Sequence, residues 1–527
     1  MKPQDFNISS EKLKFRSSNV ELHDTKLETK PVSYFKDALN RFTKNKASIV
    51  AAFIIAILVL FAVFGPIFTP YKVKDSDVTY AYVLPKNELF YKLRLGFWDG
   101  CKTKTMNKVD LELLQAIEQE LSQDEEFEVL RSKVKEVEST SLTGKTKIMY
   151  KVRVDSYNSV GVKFQLLSSA EFKALQEYQD KTGIQVLYPI TPDELRPQAQ
   201  QDNNNANYWF KTEMVDGKSS LVKDEKGQLI SIYKEYDKDE NGNYIVYDEY
   251  NSLRIKGDNG QYAYGLKRQG DTYQVRVNYR EYYIYMHTEV LKDGIKAPKF
   301  LFGANQAGKD LFICLASGAR FSFALAIIVA TINLFVGAIY GAIEGYYGGA
   351  VDLIMERFCD ILGAIPFMIV ISLLKYHLHV SHIIILFISF FLTGWMGMAG
   401  RTRMQFYRFK NQEYVLVART LGANDRRIMF KHIFPNAIGT LITSCVLVIP
   451  SVIFSETSLS YLGIINLETG SLTSVGTLLS AGQNNLYTYP HTLVYPSIFI
   501  SLLMLSFNLF GNGLRDAFNP SLRGTEE

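Results

Sequence analysis

The chain has 527 residues, of which 47% are hydrophobic, 13% aromatic and 21% charged. The hydrophobic share excludes a disordered chain and the charged share excludes one embedded in lipid throughout, so these averages mix unlike segments. A formal net charge of +4 is too small to point to nucleic acid.

The first apolar run, "ASIVAAFIIAILVLFAVFGPIF" (47–68), carries no charge and is long enough to cross a bilayer core about 30 Å thick. It follows 46 residues and exceeds a signal-peptide core in length, which predicts a retained anchor. Lys36, Arg41, Lys44 and Lys46 precede it and place segment 1–46 in the cytoplasm by the positive-inside rule.

Residues 72–315 then form a polar insert, extracytoplasmic on this topology. Its stretch 109–137 is acidic and helix-forming, 271–290 alternates as strands do, and "DGK", "ENGN" and "GDNG" punctuate it as turns. The tract "RPQAQQDNNNANY" (196–208) is a predicted loop. The expectation is an α+β domain without a disulfide framework, because Cys101 is its only cysteine distant from apolar text; Cys314, Cys359 and Cys445 lie in or near apolar runs. No Cys/His spacing suits zinc.

Five more candidate spans follow at 321–343, 361–374, 381–400, 437–455 and 492–510. The third is short unless it begins among the charges of 351–360. Pro366, Pro450 and Pro496 are tolerable within lipid, where neighbouring helices satisfy freed carbonyls. The predicted fold is an all-α transmembrane bundle of six helices, spans two to six filling 317–511, plus the α+β domain inserted between spans one and two. The loop 401–436 carries Arg401, Arg403, Arg408, Lys410, Arg419, Arg426, Arg427 and Lys431, whereas 461–490 has no Lys or Arg. This asymmetry puts the former loop in the cytoplasm, and Arg515 and Arg523 put the tail 512–527 there too.

Within that loop, "EYVLVARTLGANDRRIMFKHIFPNAIG" (413–439) reads as two short helices. Residues 413–421 are good helix formers, Gly422 is suited to end them in a left-handed turn, Asn424 or Asp425 caps the second helix, and Pro435 stops it. Tyr414, Val417, Ala418 and Leu421 make an apolar face, and Arg419, Arg426, Arg427 and Lys431 stay polar. Two uses fit this elbow: an interfacial segment held by anionic lipid, or a knob for a cytoplasmic partner.

Asp352, Glu356 and Asp360 recur every four residues on one helix face. They suit the helix dipole, or a gate and pairing with Arg357 or the loop arginines. Glu456, at the outer end of span five, suits a contact with a peptide amine or the cap of a bend. The tripeptides "GKS" (217–219) and "GKT" (144–146) lack the glycine of a phosphate loop, since Thr212 and Ser139 stand there, and are read as turns. No catalytic constellation is present in the sequence pattern.

The spacing of Ala418, Gly422 and Pro435 resembles the "EAA" loop of binding-protein-dependent ABC transporter permeases, although Leu416-Val417-Ala418 stands where that triplet belongs. With "FLFGANQAGKDLF" (300–312), "SGARFSFALA" (317–326), "SETSLSYLG" (455–463) and "LSFNLFGNGLRDAFNPSLR" (505–523), the chain resembles the C-type permease of oligopeptide or dipeptide importers over 33–71 and 300–523. The resemblance implies a type I importer bundle that carries out alternating access. It implies a coupling loop containing Glu413, Tyr414, Ala418, Arg419, Gly422, Ala423, Asp425, Arg426, Arg427 and Pro435. It implies ATP and Mg on two partner ATPase subunits and no cofactor on this chain. A homologous B-type permease and an extracytoplasmic peptide-binding protein complete the expected partners, in a cell membrane whose lipid is the remaining contact. Oligopeptides, dipeptides and nickel chelates are the substrates this resemblance leaves open. A membrane-anchored receptor or adhesin, with the insert as its working part, is the rival expectation.

Overall fold

Inside hydrocarbon, every backbone N–H and C=O must find its partner within the protein, so the apolar runs become helices. In the computed structural model, which describes residues 34–122, 127–140, 146–190, 204–208, 210–215, 218–230, 253–257, 260–468 and 472–518, an amphipathic helix α1 (Tyr34–Lys44) leads into α2 (Lys46–Phe64). Asn45 separates them, its side chain accepting from the Ser48 N–H at 3.3 Å. Segment 1–33, most of the tract 196–208, the "ENGN" turn and Arg523 lie outside the described residues.

The insert begins with a short helix α3 (Glu88–Lys92), strand β1 (Cys101–Met106), helix α4 (Lys108–Leu121) and strands β2 (Lys135–Thr140) and β3 (Thr146–Asp155). These strands form an antiparallel sheet in the order β1-β3-β2. Next come β4 (Val162–Ser168), α5 (Ser169–Thr182), β5 (Leu187–Tyr188), a hairpin of β6 (Thr212–Val215) and β7 (Lys218–Leu221), then β8 (Leu253–Gly257), β9 (Gly260–Lys267) and β10 (Thr272–Asn278). The second sheet has the order β4-β10-β9-β8, with β5 also on β10. Helix α5 packs against its inner side through the fully buried Phe172 and Leu175.

Two expectations about the insert change. The helical text 109–137 stays helical only to Leu121, and its end is β2. The alternating text 271–290 is a strand only to Asn278, whose side chain accepts from the Arg280 N–H and starts α6 (Tyr279–Tyr285). Tyr279 and Tyr283, four residues apart, then both point into the core, a helical spacing that the interleaved aromatics hide.

Those tyrosines meet Tyr80, which is fully buried with ring centroids 5.4 Å from Tyr279 and 5.3 Å from Tyr283. The Tyr279 hydroxyl donates to Asp77 at 2.8 Å. This cluster is continuous with the core of the helical bundle. Tyr82 stacks on Tyr489 at 4.4 Å, Phe302 stacks on Tyr495 at 4.3 Å, and Lys102 Nζ donates to the Thr488 carbonyl at 2.5 Å. The part of the insert around Tyr80 therefore shares one hydrophobic core with the bundle, while α4, β1 and β3 pack a separate one around Ile117, Val152 and Val154.

The bundle continues with α7 (Leu311–Tyr347), α8 (Gly349–Gly363), α9 (Phe367–His377), α10 (His382–Phe409), α11 (Glu413–Thr420), α12 (Asp425–Tyr461), α13 (Val475–Gln483) and α14 (His491–Phe518). Five helices are long and apolar enough to cross a membrane among the described residues, and α8 with α9 makes a pair bent by 69°. The third expected span is thus broken at the Ala364–Pro366 link, leaving its acidic turns on a separate helix. The second span starts at Leu311, inside the expected insert, and the fourth runs on to Phe409.

Pro435 does not stop the second elbow helix. Residues Ile428–Ile433 wind as a wider π turn and the helix runs through the proline to Tyr461. The wide turn moves the preceding carbonyls away from the ring that would otherwise strike them. The expected loop 401–436 therefore contracts to the stretch between α10 and α12.

Helices α7 and α10 meet backbone to backbone. Built on Gly337, Gly341 and Gly345, a Cβ would lie 2.6 Å from the Trp395 oxygen, 2.1 Å from the Ala399 oxygen and 2.7 Å from the Arg403 oxygen. Small residues are what permit such an approach in lipid, where packing replaces the hydrophobic drive. Gly341→Ala should lower stability in detergent by about 1–3 kcal/mol. Gly400→Ala, where a Cβ meets nothing within 4 Å, should leave it unchanged or raise it. Equal thermal shifts for the two variants would refute the close contact.

Asp310 caps α7, accepting from the Phe312 N–H at 3.0 Å and from Thr69 Oγ1 at 3.3 Å. Burial pushes its carboxyl up to about 7. A carboxyl raised on folding holds its proton more tightly in the native state, so stability should fall as pH rises from about 4 to about 7 and level off above. Asp310→Asn keeps the cap acceptor and should flatten that fall, read as melting temperature at about pH 5 and about pH 8.

Candidate functional site

The elbow follows from local chemistry. Helix α11 ends as Gly422 turns left-handed at φ +81°, with its N–H on the Arg419 oxygen at 3.0 Å and the Ala423 N–H on the Ala418 oxygen at 3.0 Å. No atom lies within 4 Å of a Cβ built there, so conformation rather than space requires glycine. Asn424 caps α12 by accepting from the Arg427 N–H at 2.8 Å.

Val415 and Ile428 are fully buried beneath the elbow, packed with Ala342, Tyr346, Phe406 and Ile433. The Tyr346 hydroxyl donates to Asp425 at 2.6 Å, and the Arg419 guanidinium stands 6.0 Å from the Tyr346 ring. Asn436 donates to the Tyr414 hydroxyl at 3.3 Å, closing the two arms. The expected apolar face divides. Ala418 turns inward, whereas Tyr414, Val417 and Leu421 point outward, Leu421 with 81% of its surface exposed. Glu413, Arg419, Arg426, Arg427, Lys431 and Pro435 are exposed around that apolar edge. Tyr346 and Asn436 were missed in the sequence, where neither carries a pattern of its own.

The acids of α8 come together with a partner from α10. Arg403 Nε and Nη2 donate to Asp352 at 2.5 and 2.8 Å, and Nη1 donates to Glu356 at 2.7 Å. Tyr407 donates to Asp352 at 2.6 Å, and Glu344 lies 3.6 Å from Arg403 Nε. Asp360 turns away to an exposed pair with Arg357 at 2.8 Å. The carboxylates of Glu344, Asp352 and Glu356 lie close enough together to hold a cation, and the guanidinium supplies that charge. Asp352 also sits in the first turn of α8, so dipole and ion pair act together.

Glu456 is fully enclosed. Ser322 Oγ donates to it at 3.0 Å and Ser460 Oγ at 3.1 Å. Its carboxylate meets no open surface of this chain, because α7, its own helix and Ser474 at the start of α13 enclose it. In the insert, Val215 pairs with Lys218, so the "GKS" lysine opens a hairpin strand.

A bundle of apolar helices with a polar elbow between two of them is the architecture of a membrane permease. The chain belongs to the family of binding-protein-dependent transport system inner membrane components, whose model matches residues 337–524, and the model for the N-terminal TM domain of oligopeptide transport permease C matches 33–85. It is 42% identical over 222 residues to the oligopeptide transport system permease protein OppC of Bacillus subtilis, covering 42% of this chain and 72% of that one. The OppC of Haemophilus influenzae is 39% identical, covering 42% and 70%, and the dipeptide transport system permease protein DppC of Bacillus subtilis is 37% identical, covering 42% and 69%. The protein is a permease subunit of an ABC importer in the cell membrane, working in a complex with ATPase and other permease subunits. The receptor reading has no support.

Arg403→Gln should leave the carboxylates of Glu344, Asp352 and Glu356 without their counter-charge and lower stability by about 2 kcal/mol, between the values for exposed and fully buried pairs. Tyr407→Phe should lose about 1 kcal/mol. Chemical unfolding of detergent-purified protein checks both, and an Arg403→Gln loss no larger than the Tyr407→Phe loss would show that the pairs contribute little.

Proposed function

We propose that this subunit forms half of a transmembrane pathway for oligopeptides, driven by ATP hydrolysis on two separate subunits. The elbow is its coupling element. The single observation that carries this reading is an outward apolar edge, Tyr414, Val417 and Leu421, on an elbow set by Gly422 and tied to α7 by Tyr346 and Asp425. An ATPase surface seated on that edge pushes α11 against α7 and α12 through Val415 and Ile428, which are packed too tightly to absorb the movement. The spans thereby pass between inward-open and outward-open states, and a ligand on the ATPase shifts that equilibrium by its differential affinity. The elbow residues Glu413, Ala418, Arg419, Ala423, Arg426, Arg427 and Pro435 belong to this surface or its support.

In this reading α8 and α9 together make the third of six spans, both termini are cytoplasmic, and the insert is extracytoplasmic. A homologous B-type permease completes the pathway, and a peptide-binding protein delivers substrate to the insert side. The peptide assignment rests on the named cargo of the related permeases.

Topology is tested first. A cysteine at Lys267 should react with an impermeant thiol reagent on whole cells, and one at Arg427 only after permeabilisation, since both positions are exposed. Reversed labelling would place the elbow on the wrong side for an ATPase. For coupling, Gly422→Val places a β-branched side chain at φ +81°, a strain of about 1 kcal/mol or more. The reconstituted transporter should keep its membrane insertion but lose peptide uptake together with ATPase association or substrate-stimulated hydrolysis. Normal uptake and hydrolysis in a correctly inserted variant would reduce the elbow to a passive interfacial segment.

A further inference from the structure

Three arginines surround one cavity at the elbow end of the bundle, and none belongs to the elbow or to the Arg403 network. Arg401 and Arg408 come from the final turns of α10 and Arg515 from the last turn of α14, while Thr440, Thr443 and Ser444 of α12 complete a space of about 340 Å³. No acid among the described residues lines it. All three arginines are exposed, and among the described residues none enters an ion pair. The Arg408 guanidinium stands 5.6 Å from the Phe409 ring. Three like charges converging from two helices repel one another, and the arrangement gains a favourable energy once an anion lies between them.

The donor set identifies that anion. Guanidinium forks match phosphate oxygens in pairs, and the Ser444 hydroxyl on the third helix adds a neutral donor. The volume suits a small ligand. On the topology proposed above, this end of α10 and α14 faces the cytoplasmic side of the membrane, where basic pockets between helices take anionic lipid. Met404, 61% exposed on the same rim, offers an apolar neighbour for an acyl chain. We propose that this cavity binds the phosphate of an anionic phospholipid headgroup.

The test uses the full chain in mild detergent, alone and assembled with its permease partner, titrated with phosphatidylglycerol, phosphatidylcholine or inorganic phosphate and read by native mass spectrometry. One phosphatidylglycerol should be retained in both forms, with phosphatidylcholine bound more weakly. Arg401→Gln/Arg515→Gln should bind phosphatidylglycerol at least about tenfold more weakly, Arg401→Lys/Arg515→Lys should fall between, and Arg426→Gln/Arg427→Gln in the elbow should match the wild type. An unchanged melting temperature separates a lost ligand from a misfolded chain, and the lysine variant keeps the test alive if the glutamine one unfolds. Displacement by inorganic phosphate alone at comparable strength would assign the site to free phosphate and overturn the lipid. Lipid retention indifferent to the cavity arginines, or lost on assembly with the partner permease, would overturn the site itself, the latter because the arginines then serve the partner's acids.

Discussion

The contact on which the rest of the bundle depends is the backbone approach of α7 to α10. Gly337, Gly341 and Gly345 present no side chain to Trp395, Ala399 and Arg403, and a methyl group at the middle position would overlap a carbonyl oxygen. In water such a stripe would be poor packing, but in lipid close approach is itself the stabilising term. The same approach positions the later turns of both helices. It carries Arg403 to the acids of α8, and it carries Phe406, fully buried, to the floor of the elbow core.

The elbow thus rests on two supports of different kinds. Dispersion and burial hold Val415, Ile428 and Ile433 against α7, while one hydrogen bond, Tyr346 to Asp425, fixes the start of α12. Tight packing transmits displacement and the polar contact sets register, so the elbow is held firmly to α7. Because α12 runs unbroken from Asp425 to Tyr461 through its π turn, the elbow and the enclosed Glu456 at the opposite end lie on one helix with no loop between them. A helix that had stopped at Pro435 would have put a loop between the two.

At the other end, the part of the insert around Tyr80 continues the bundle's core, while α4, β1 and β3 pack a second core of their own. The tyrosines around Tyr80 merge with the apolar ends of α7 and α14, and paired rings at Tyr82–Tyr489 and Phe302–Tyr495 join the two parts. Rings supply large buried area with few rotatable bonds, so they order a junction at low entropic cost.

Sequence alone determined the elements whose physics is local or set by solvent. The long helices α2, α7, α10, α12 and α14 follow from the length of apolar runs, the left-handed turn from Gly422, and the α12 cap from Asn424 or Asp425, of which the structure uses Asn424. It misjudged elements whose local text is ambiguous: residues 279–285 alternate like a strand yet form a helix because their tyrosines find a core, and Pro435 reads as a stop although a π turn accommodates it. Tertiary structure alone decided which charges meet. Asp352, Glu356 and Asp360 look equivalent at spacing four, but only the first two face Arg403, because helix periodicity fixes a side chain's direction and says nothing about the neighbour that direction encounters. The cavity of Arg401, Arg408 and Arg515 and the inward turn of Ala418 were likewise invisible, since convergence of residues distant in sequence is a property of packing, whereas periodicity and propensity are properties of a single element.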